Sequence, residues 1–326
     1  MKVLKKIKKD NGRRNIYFLG IKIFSYKKMS KALMFDKIYA KRFDGLNRKE
    51  IRFILEQQFK KMVGYKLNIG NPRTYNEKIQ WIKYYHHNPL MTICADKVAV
   101  RDYIKEKVGE EYLVPAIGVY EKVEDIDWDK LPNKFVAKVN WGSGYNIICQ
   151  DKTKLDINDA KNKLAHWMKP KSNYYYIFLE WAYKNIKPKI IIEQYIESKK
   201  VLKDYKFYCF NGEAKYLLVS EGHSSPNEDF YDICNNLQFC NFTKGGEISG
   251  NTLKIPHSFN KMKEIATALA SSFSHVRVDF YENIDGKPLL GELTFTPGNG
   301  TSKFEPIEWD YKWGEMLKLP ERMEDE

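Results

Sequence analysis

Two carboxylates, Asp279 and Glu292, flank a turn in the segment VRVDFYENIDGKPLLGELTFTPGNG, residues 276–300. Alternation of apolar and polar residues makes Val276–Tyr281 one strand and Leu289–Phe295 another. Between them Asp285-Gly286 is a dipeptide that favours a two-residue type I′ turn. Such a turn pairs Asp279 with Glu292 and Arg277 with Thr294. Cross-strand partners lie about 4.5–5.5 Å apart at Cβ, where like charges destabilise the sheet. A cation shared by the two acids removes that conflict. Mg²⁺ in particular is commonly held by one or two carboxylates together with substrate phosphates. Arg277, on the same strand face, would then neutralise charge on a transferring phosphoryl group. The bland alternative is an exposed hairpin with a local arginine–acid pair.

Two further stretches carry anion-binding chemistry. In KFVAKVNWGSGYNI, alternation puts Lys138 and Asn140 on one side, just before Gly142-Ser143-Gly144. Glycines let backbone approach a ligand, and successive N–H groups can form an anion-binding nest. The same residues are also compatible with an ordinary hairpin turn. No GxxxxGK[ST] occurs, which excludes a P-loop. In DYKFYCF, alternation puts Asp204, Lys206 and Tyr208 on one face. A carboxylate there suits a ribose diol and a lysine suits a phosphate, against plain solvated positions on an amphipathic strand.

The elements that must position these residues can be read around them. RKEIRFILEQQFKKMVG is a helix with Ile51, Ile54, Leu55, Phe59 and Met62 as its apolar stripe. NPRTYNEKIQWIKYYHHNP follows, with Thr74 and Glu77 spaced as a capping box. DKVAVRDYIKEKVG is a third helix, with Val98, Val100, Ile104 and Val108 as its buried positions. From Pro115 strands take over. Helices are expected at Asp156–Trp167 and Lys261–Ser272, and a hairpin on Asn211-Gly212. Residues 31–113 thus read as mainly helical, and the whole as an α+β body.

Composition sets outer limits. The chain has 326 residues, 43 % hydrophobic, with 22 Tyr and 18 Phe, so it is globular. Its net charge of +13 is concentrated in the first fifty residues, which hold sixteen Lys and Arg against four acids. The remaining body is nearly neutral. Nucleic-acid binding is therefore not expected, since no basic groove is evident in the body. Residues 1–30 form a basic arm that suits either a solvated tail with one edge strand or peripheral contact with an anionic membrane surface. Its apolar run Ile16–Ile21 is too short to span a bilayer and does not read as a signal peptide. Five cysteines with no CxxC fit reduced thiols in a cytoplasm.

In order along the chain, Asp96-Lys97, FVAK with its glycine loop, IIIEQYI and RVD…GELTFTPG resemble the ATP-grasp superfamily. Within it, TYNEKIQWIKYY, ADKVAVRDYIKEKVGEEYLVPAIGVY, DYKFYCFNGE and GELTFTPGNG…EWDYKWGEMLKLP resemble TupA-like ATP-grasp proteins of bacterial surface-polysaccharide loci. The resemblance covers roughly residues 30–320. It implies an ATP-grasp fold with ATP and Mg²⁺ as ligands. By position, Lys97 and Lys138 match phosphate-binding lysines, and Gly142, Ser143 and Gly144 the loop over the phosphates. Glu193, Gln194, Tyr195 and Ile196 match the adenine-reading hinge, largely through backbone groups of Gln194 and Ile196. Asp204 matches the ribose-binding acid, with Lys206 beside it. Asp279 and Glu292 match the metal carboxylates, and Arg277 the arginine near the acyl phosphate. Thr294 stands where many relatives have an asparagine ligand. Gly298, Asn299 and Gly300 match a loop that contacts the acceptor substrate.

The implied domains are a basic arm (1–30), a helical region (31–113), a small subdomain (114–196) and a large subdomain (197–326). The implied reaction joins a carboxylate-bearing sugar to an amine at the cost of ATP, with Arg277, Lys138 and Lys206 assisting, in the cytoplasm or at the inner face of the membrane. Substrate-facing positions are expected among Trp181, Tyr183, His223 and residues 220–258. Two other functions compete. Asp125-Ile126-Asp127 and Asp127-Trp128-Asp129 are DxD pairs of the kind that glycosyltransferases use, and a non-catalytic ATP-binding assembly protein would keep the same nucleotide residues.

Overall fold

The computed structural model describes strands within residues 5–27, and residues 45–198, 201–221, 228–249 and 255–323. The expected helical residues 31–44 and substrate-facing His223 lie outside these. Two compact units divide the chain, Met1–Glu50 and Ile51–Glu326. In the first, β1 (Lys5–Asp10), β2 (Arg13–Phe18) and β3 (Ile21–Lys27) make an antiparallel sheet in chain order. The basic run is therefore itself strand, and the expected single edge strand is one of three.

Helix α1 (Arg48–Val63) buries Ile54, Leu55, Phe59 and Val63. Met62, expected in that stripe, is 57 % exposed. The stripe runs through every fourth residue from Leu55, and Met62 falls about 100° to its side. Helix α2 (Tyr75–Tyr85) has the expected capping box: the Thr74 hydroxyl accepts from the Glu77 N–H, and Glu77 accepts from the Thr74 N–H. A further helix, α3 (Pro89–Ala95), capped by Asn88, follows directly. Helix α4 (Val100–Lys107) buries Val100, Tyr103 and Ile104.

A four-stranded antiparallel sheet follows, built from β4 (Ala116–Tyr120), β5 (Phe135–Val139), β6 (Asn146–Cys149) and β7 (Ile190–Gln194) in the order β4-β7-β5-β6. Helices α5 (Ile157–Trp167) and α6 (Tyr174–Phe178) lie between β6 and β7 in sequence. Strand β5 alternates strictly: Phe135, Ala137 and Val139 are buried, while Val136 and Lys138 are partly open.

The larger sheet contains β8 (Lys203–Phe210), β9 (Glu213–Glu221), β10 (Asp229–Asp232) and β11 (Gln238–Cys240). Strand β12 (Thr243–Lys244) and helix α7 (Phe259–Ala270) precede β13 (His275–Glu282) and β14 (Pro288–Thr294). The order is β11-β10-β9-β8-β13-β14. Strand β15 (Phe304–Glu305) pairs with β12, and α8 (Glu308–Met316) follows.

Alternation explains how this sheet serves two purposes. Phe207, Val276, Val278 and Phe280 are fully buried on one face, where Phe207 meets Phe259 of α7. On the other face Tyr208 and His275 join an aromatic cluster with Tyr75 of α2 and Trp313 of α8. Further along that same face stand Lys206, Arg277 and Asp279. One half of the face is core, and the other half is available for chemistry.

Candidate active site

The register across β8, β13 and β14 lines up Lys206, Asp279 and Glu292 in one row and Tyr208, Arg277 and Thr294 in the next. The pairing of the two acids matches the sequence expectation, but it is reached differently. The turn has three residues: the Asn283 N–H donates to Lys287 O (3.0 Å), the Gly286 N–H donates to Asn283 O (3.0 Å), and Gly286 takes φ 77°. A three-residue loop alone would set Glu292 opposite Val278, on the wrong face. A bulge between Asp279 and Phe280 leaves Gly291 over and restores the pairing. A side chain at Gly291 would meet the Tyr281 ring at 3.0 Å.

Asp279 is only 4 % exposed, so the exposed-hairpin alternative does not hold. The Arg277 guanidinium donates Nε–H to Asp279 Oδ1 and Nη2–H to Oδ2, both at 2.6 Å. Nη2 also donates to Glu292 Oε1 (3.1 Å) and Thr294 Oγ1 (3.2 Å). The Thr294 hydroxyl donates in turn to Glu292 Oε1 (3.1 Å). Lys97, from the turn between α3 and α4, lies 3.2 Å from Glu292 Oε2. Burial alone would raise the Glu292 carboxyl, but Lys97 and then Arg277 bring it down to about 2.

Lys97, Arg277, Asp279 and Glu292 line a cleft of about 260 Å³ together with Lys138, Gly142, Ser143, Gly144, Asp204 and Lys206. The glycine loop between β5 and β6 needs its glycines: Gly142 and Gly144 have φ 69° and 76°, and a Cβ on Gly142 would lie 2.8 Å from the Tyr174 ring. Lys97 Nζ donates to Gly142 O (2.9 Å) and the Tyr174 hydroxyl to Ser143 O (2.8 Å). Lys206 Nζ donates to Ser220 Oγ (3.0 Å) and reaches Asp204 Oδ2 at 3.5 Å. Four cationic side chains, two facing carboxylates and a glycine turn thus converge on one concavity.

A family model described as TupA-like ATPgrasp matches residues 77–318. The chain belongs to the TupA-like ATPgrasp family. It has the ATP-grasp fold that its motifs implied. Among solved structures it is similar to a D-alanine–D-alanine ligase from Bacillus anthracis complexed with ATP, at 14 % identity and TM-score 0.42, over 89 % of this chain and 91 % of that one. It is also similar to an L-amino acid ligase from Bacillus licheniformis, at 13 % identity and TM-score 0.42, over 91 % and 65 %. An N5-carboxyaminoimidazole synthetase from Staphylococcus aureus matches at 14 % identity and TM-score 0.34 over 62 % of this chain; the chain spans only 44 % of that structure. No curated protein matches.

Not every residue mapped from the ATP-grasp pattern reaches the cleft. Gln194, Tyr195 and Ile196 line a second cavity of about 260 Å³, with Leu113, Pro115, Ile284 and Leu289. Both concavities draw on β14, since Leu289 lines one and Gly291 and Glu292 the other. The Gln194 N–H donates to Pro115 O (2.9 Å) and is therefore already committed. The Glu193 carboxylate accepts from Lys138 Nζ (2.6 Å) and Arg101 Nη1 (3.3 Å) as their counter-ion. Thr294 lies beneath Arg277, its hydroxyl already engaged.

Gly298, Asn299 and Gly300 line neither cavity; all three have φ near 60°, and helix α2 holds them. Gln80 Nε2 donates to Asn299 O (2.7 Å) and Gly300 O (2.9 Å), while Lys83 Nζ donates to Asn299 Oδ1. Trp181 and Tyr183 are buried, Trp181 stacking on His87, and neither lines either cavity. Asp125, Asp127 and Asp129 are exposed, and Asp127 pairs with Lys130 at 2.8 Å. They line neither cavity.

Sequence reasoning missed four cleft-lining residues, Tyr145, Asn146, Tyr281 and Gly291. Tyr281 was within reach, as it continues the Arg277–Asp279 alternation. Asn146 was too, because it pairs with Lys138 across the glycine turn. Arg101, which helps to hold Glu193, lies 92 residues away from it and leaves no local signal.

Proposed function

We propose that this protein is an ATP-dependent carboxylate–amine ligase that works through an acyl phosphate. Its family makes it an ATP-grasp enzyme of the ligase class. The observation that carries the reading is the convergence of Lys97, Lys138, Lys206 and Arg277 with the facing Asp279 and Glu292 under the Gly142–Gly144 loop. Phosphoryl transfer asks a protein mainly for positioning and charge neutralisation, and this cleft supplies both. The nucleotide's phosphates lie in the cleft, and its base in the cavity beside Gln194–Ile196. The four-stranded sheet then acts as the small subdomain and the six-stranded sheet as the large one.

A substrate carboxylate oxygen attacks the γ-phosphorus, the bond to the bridging oxygen breaks, and ADP leaves. The amine nitrogen then attacks the acyl carbon, phosphate departs and the nitrogen loses a proton, leaving an amide. Lys97 and Lys138 bind phosphate oxygens, while Arg277 faces the charge that develops at the acyl phosphate. Among the described residues no cluster of three or more His, Cys, Asp or Glu could hold a metal by itself. Asp279 and Glu292, two hard oxygen donors on facing strands, fit an Mg²⁺ that completes its shell with phosphates. When bound, that ion adds charge neutralisation at the transferring group.

The family resemblance favours a uronic acid of a bacterial surface polysaccharide as the carboxylate and an amino acid or other amine as the acceptor. Use of ATP and five free thiols favour the cytoplasm. The basic three-stranded sheet favours contact with the anionic inner face of the membrane. Among the described residues no helix is long and apolar enough to cross a membrane.

Thermal unfolding with Mg-ATP, and separately with Mg²⁺ plus UDP- or GDP-sugars, tests the reading on wild type and Asp279→Asn. A ligand at a hundredfold its Kd stabilises by about 2.7 kcal/mol, or roughly 5–10 °C for a unit of this size. The expected result is a shift with Mg-ATP that shrinks in Asp279→Asn. A shift only with a nucleotide sugar, unchanged in the variant, overturns the proposal.

A further inference from the structure

All four carboxylate oxygens of Asp279 and Glu292 are engaged by groups of the chain itself. Arg277 takes both oxygens of Asp279 and one of Glu292, and Lys97 takes the other. Two cations therefore balance two acids within hydrogen-bond distance. The groups are enclosed, with side-chain exposures of 14 % for Arg277, 5 % for Asp279, 24 % for Glu292 and 17 % for Lys97. A divalent ion approaching this pair meets a guanidinium and an ammonium where its own ligands should be. Like charges at such separations repel strongly in an enclosed site. Neither cation can withdraw unless another anion receives it, since an unpaired buried charge is costly.

We propose that Arg277 and Lys97 are internal counter-ions that make the carboxylate pair selective for a metal–nucleotide complex over a bare divalent cation. The phosphates provide the anions to which the two side chains transfer, and their departure frees Asp279 and Glu292 for the metal. The proposal rests on the nucleotide reading above and extends it to the order in which ligands bind. Lys97 has a second tie, to Gly142 O, so the same transfer loosens one anchor of the glycine loop.

The test uses Mn²⁺ as the probe ion, titrated into the full chain and followed by the electron paramagnetic resonance of free Mn²⁺. Wild type is expected to bind no stoichiometric Mn²⁺ at submillimolar concentration without nucleotide, and one ion per chain with ADP present. Lys97→Met, which keeps the aliphatic stem, is expected to tighten binding of Mn²⁺ alone at least tenfold. Arg277→Met is expected to do the same, and adding Asp279→Asn to either variant to remove the gain. If Arg277→Met does not fold, Lys97→Met decides. Submillimolar 1:1 binding of Mn²⁺ alone by wild type, lost in Asp279→Asn, overturns the proposal, as does a Lys97→Met titration identical to wild type. Failure of the nucleotide reading shows separately, as the absence of any melting shift with ADP or ATP.

Discussion

His275 is buried beside the candidate site and makes a definite pair of hydrogen bonds. Cys209 O can only accept, so Nδ1 (2.8 Å) carries the proton and Nε2 accepts from the Tyr75 hydroxyl (2.9 Å). Burial, with Lys244 and Arg277 nearby, brings the imidazole down to about 3, the Cys209 carbonyl only partly opposing it. Below the ordinary value of about 6.5 the unfolded chain binds a proton that the folded chain refuses, so stability falls as pH falls. Between pH 6.5 and 5 this one residue should remove about 2 kcal/mol. Urea unfolding at both pH values should show that loss in wild type and a smaller one in His275→Gln; equal pH dependence would refute it. Single residues were the most legible scale where a strand's alternation applies, as for Lys138, Asp204, Lys206, Arg277 and Asp279. The ion pairs of Glu193 left no signal in the sequence because its partners, Lys138 and Arg101, come from other elements.

At the scale of elements, helix α2 does more than fill space. Its Ile79, Gln80 and Lys83 fix the three left-handed residues that follow Pro297. A Cβ on Gly300 would lie 2.6 Å from Ile79 Cγ2 at a φ of 60°. Gly300→Ala should therefore cost about 2–5 kcal/mol, from left-handed strain of about 1–2 and overpacking of about 1–3. Gly144→Ala, with open space around its Cβ and φ 76°, should cost only about 1–2 kcal/mol. Chemical denaturation of the two variants side by side checks the ordering. The periods of helix and strand were readable because they are local, as in the capping box of α2 and the hairpin on Asn211-Gly212. The longer turn and the compensating bulge in the carboxylate hairpin were not. Their two shifts cancel, so the alternation of side chains alone cannot reveal them.

On the scale of the molecule, the positive charge is concentrated in the first of the two units. An anionic surface should capture the protein through that unit. Full-length protein should sediment with vesicles containing phosphatidylglycerol and not with phosphatidylcholine alone, and the binding should weaken as salt rises. Reversing Lys6, Lys8 and Arg13 to Glu should abolish capture; equal sedimentation of that variant would exclude the arm. Fold class and site were readable from separate motifs, whereas the joint that unites them was not. That joint is Trp313, fully buried against the rings of Tyr75, Tyr208, Phe210, Tyr216, Phe230, Phe242 and Phe304. A ribosome making about 5–20 residues per second delivers Trp313 roughly 10–50 s after Tyr75. Until then four strands, one loop and a helix hold open a place for one indole, and the nascent chain must be shielded from its neighbours for that long.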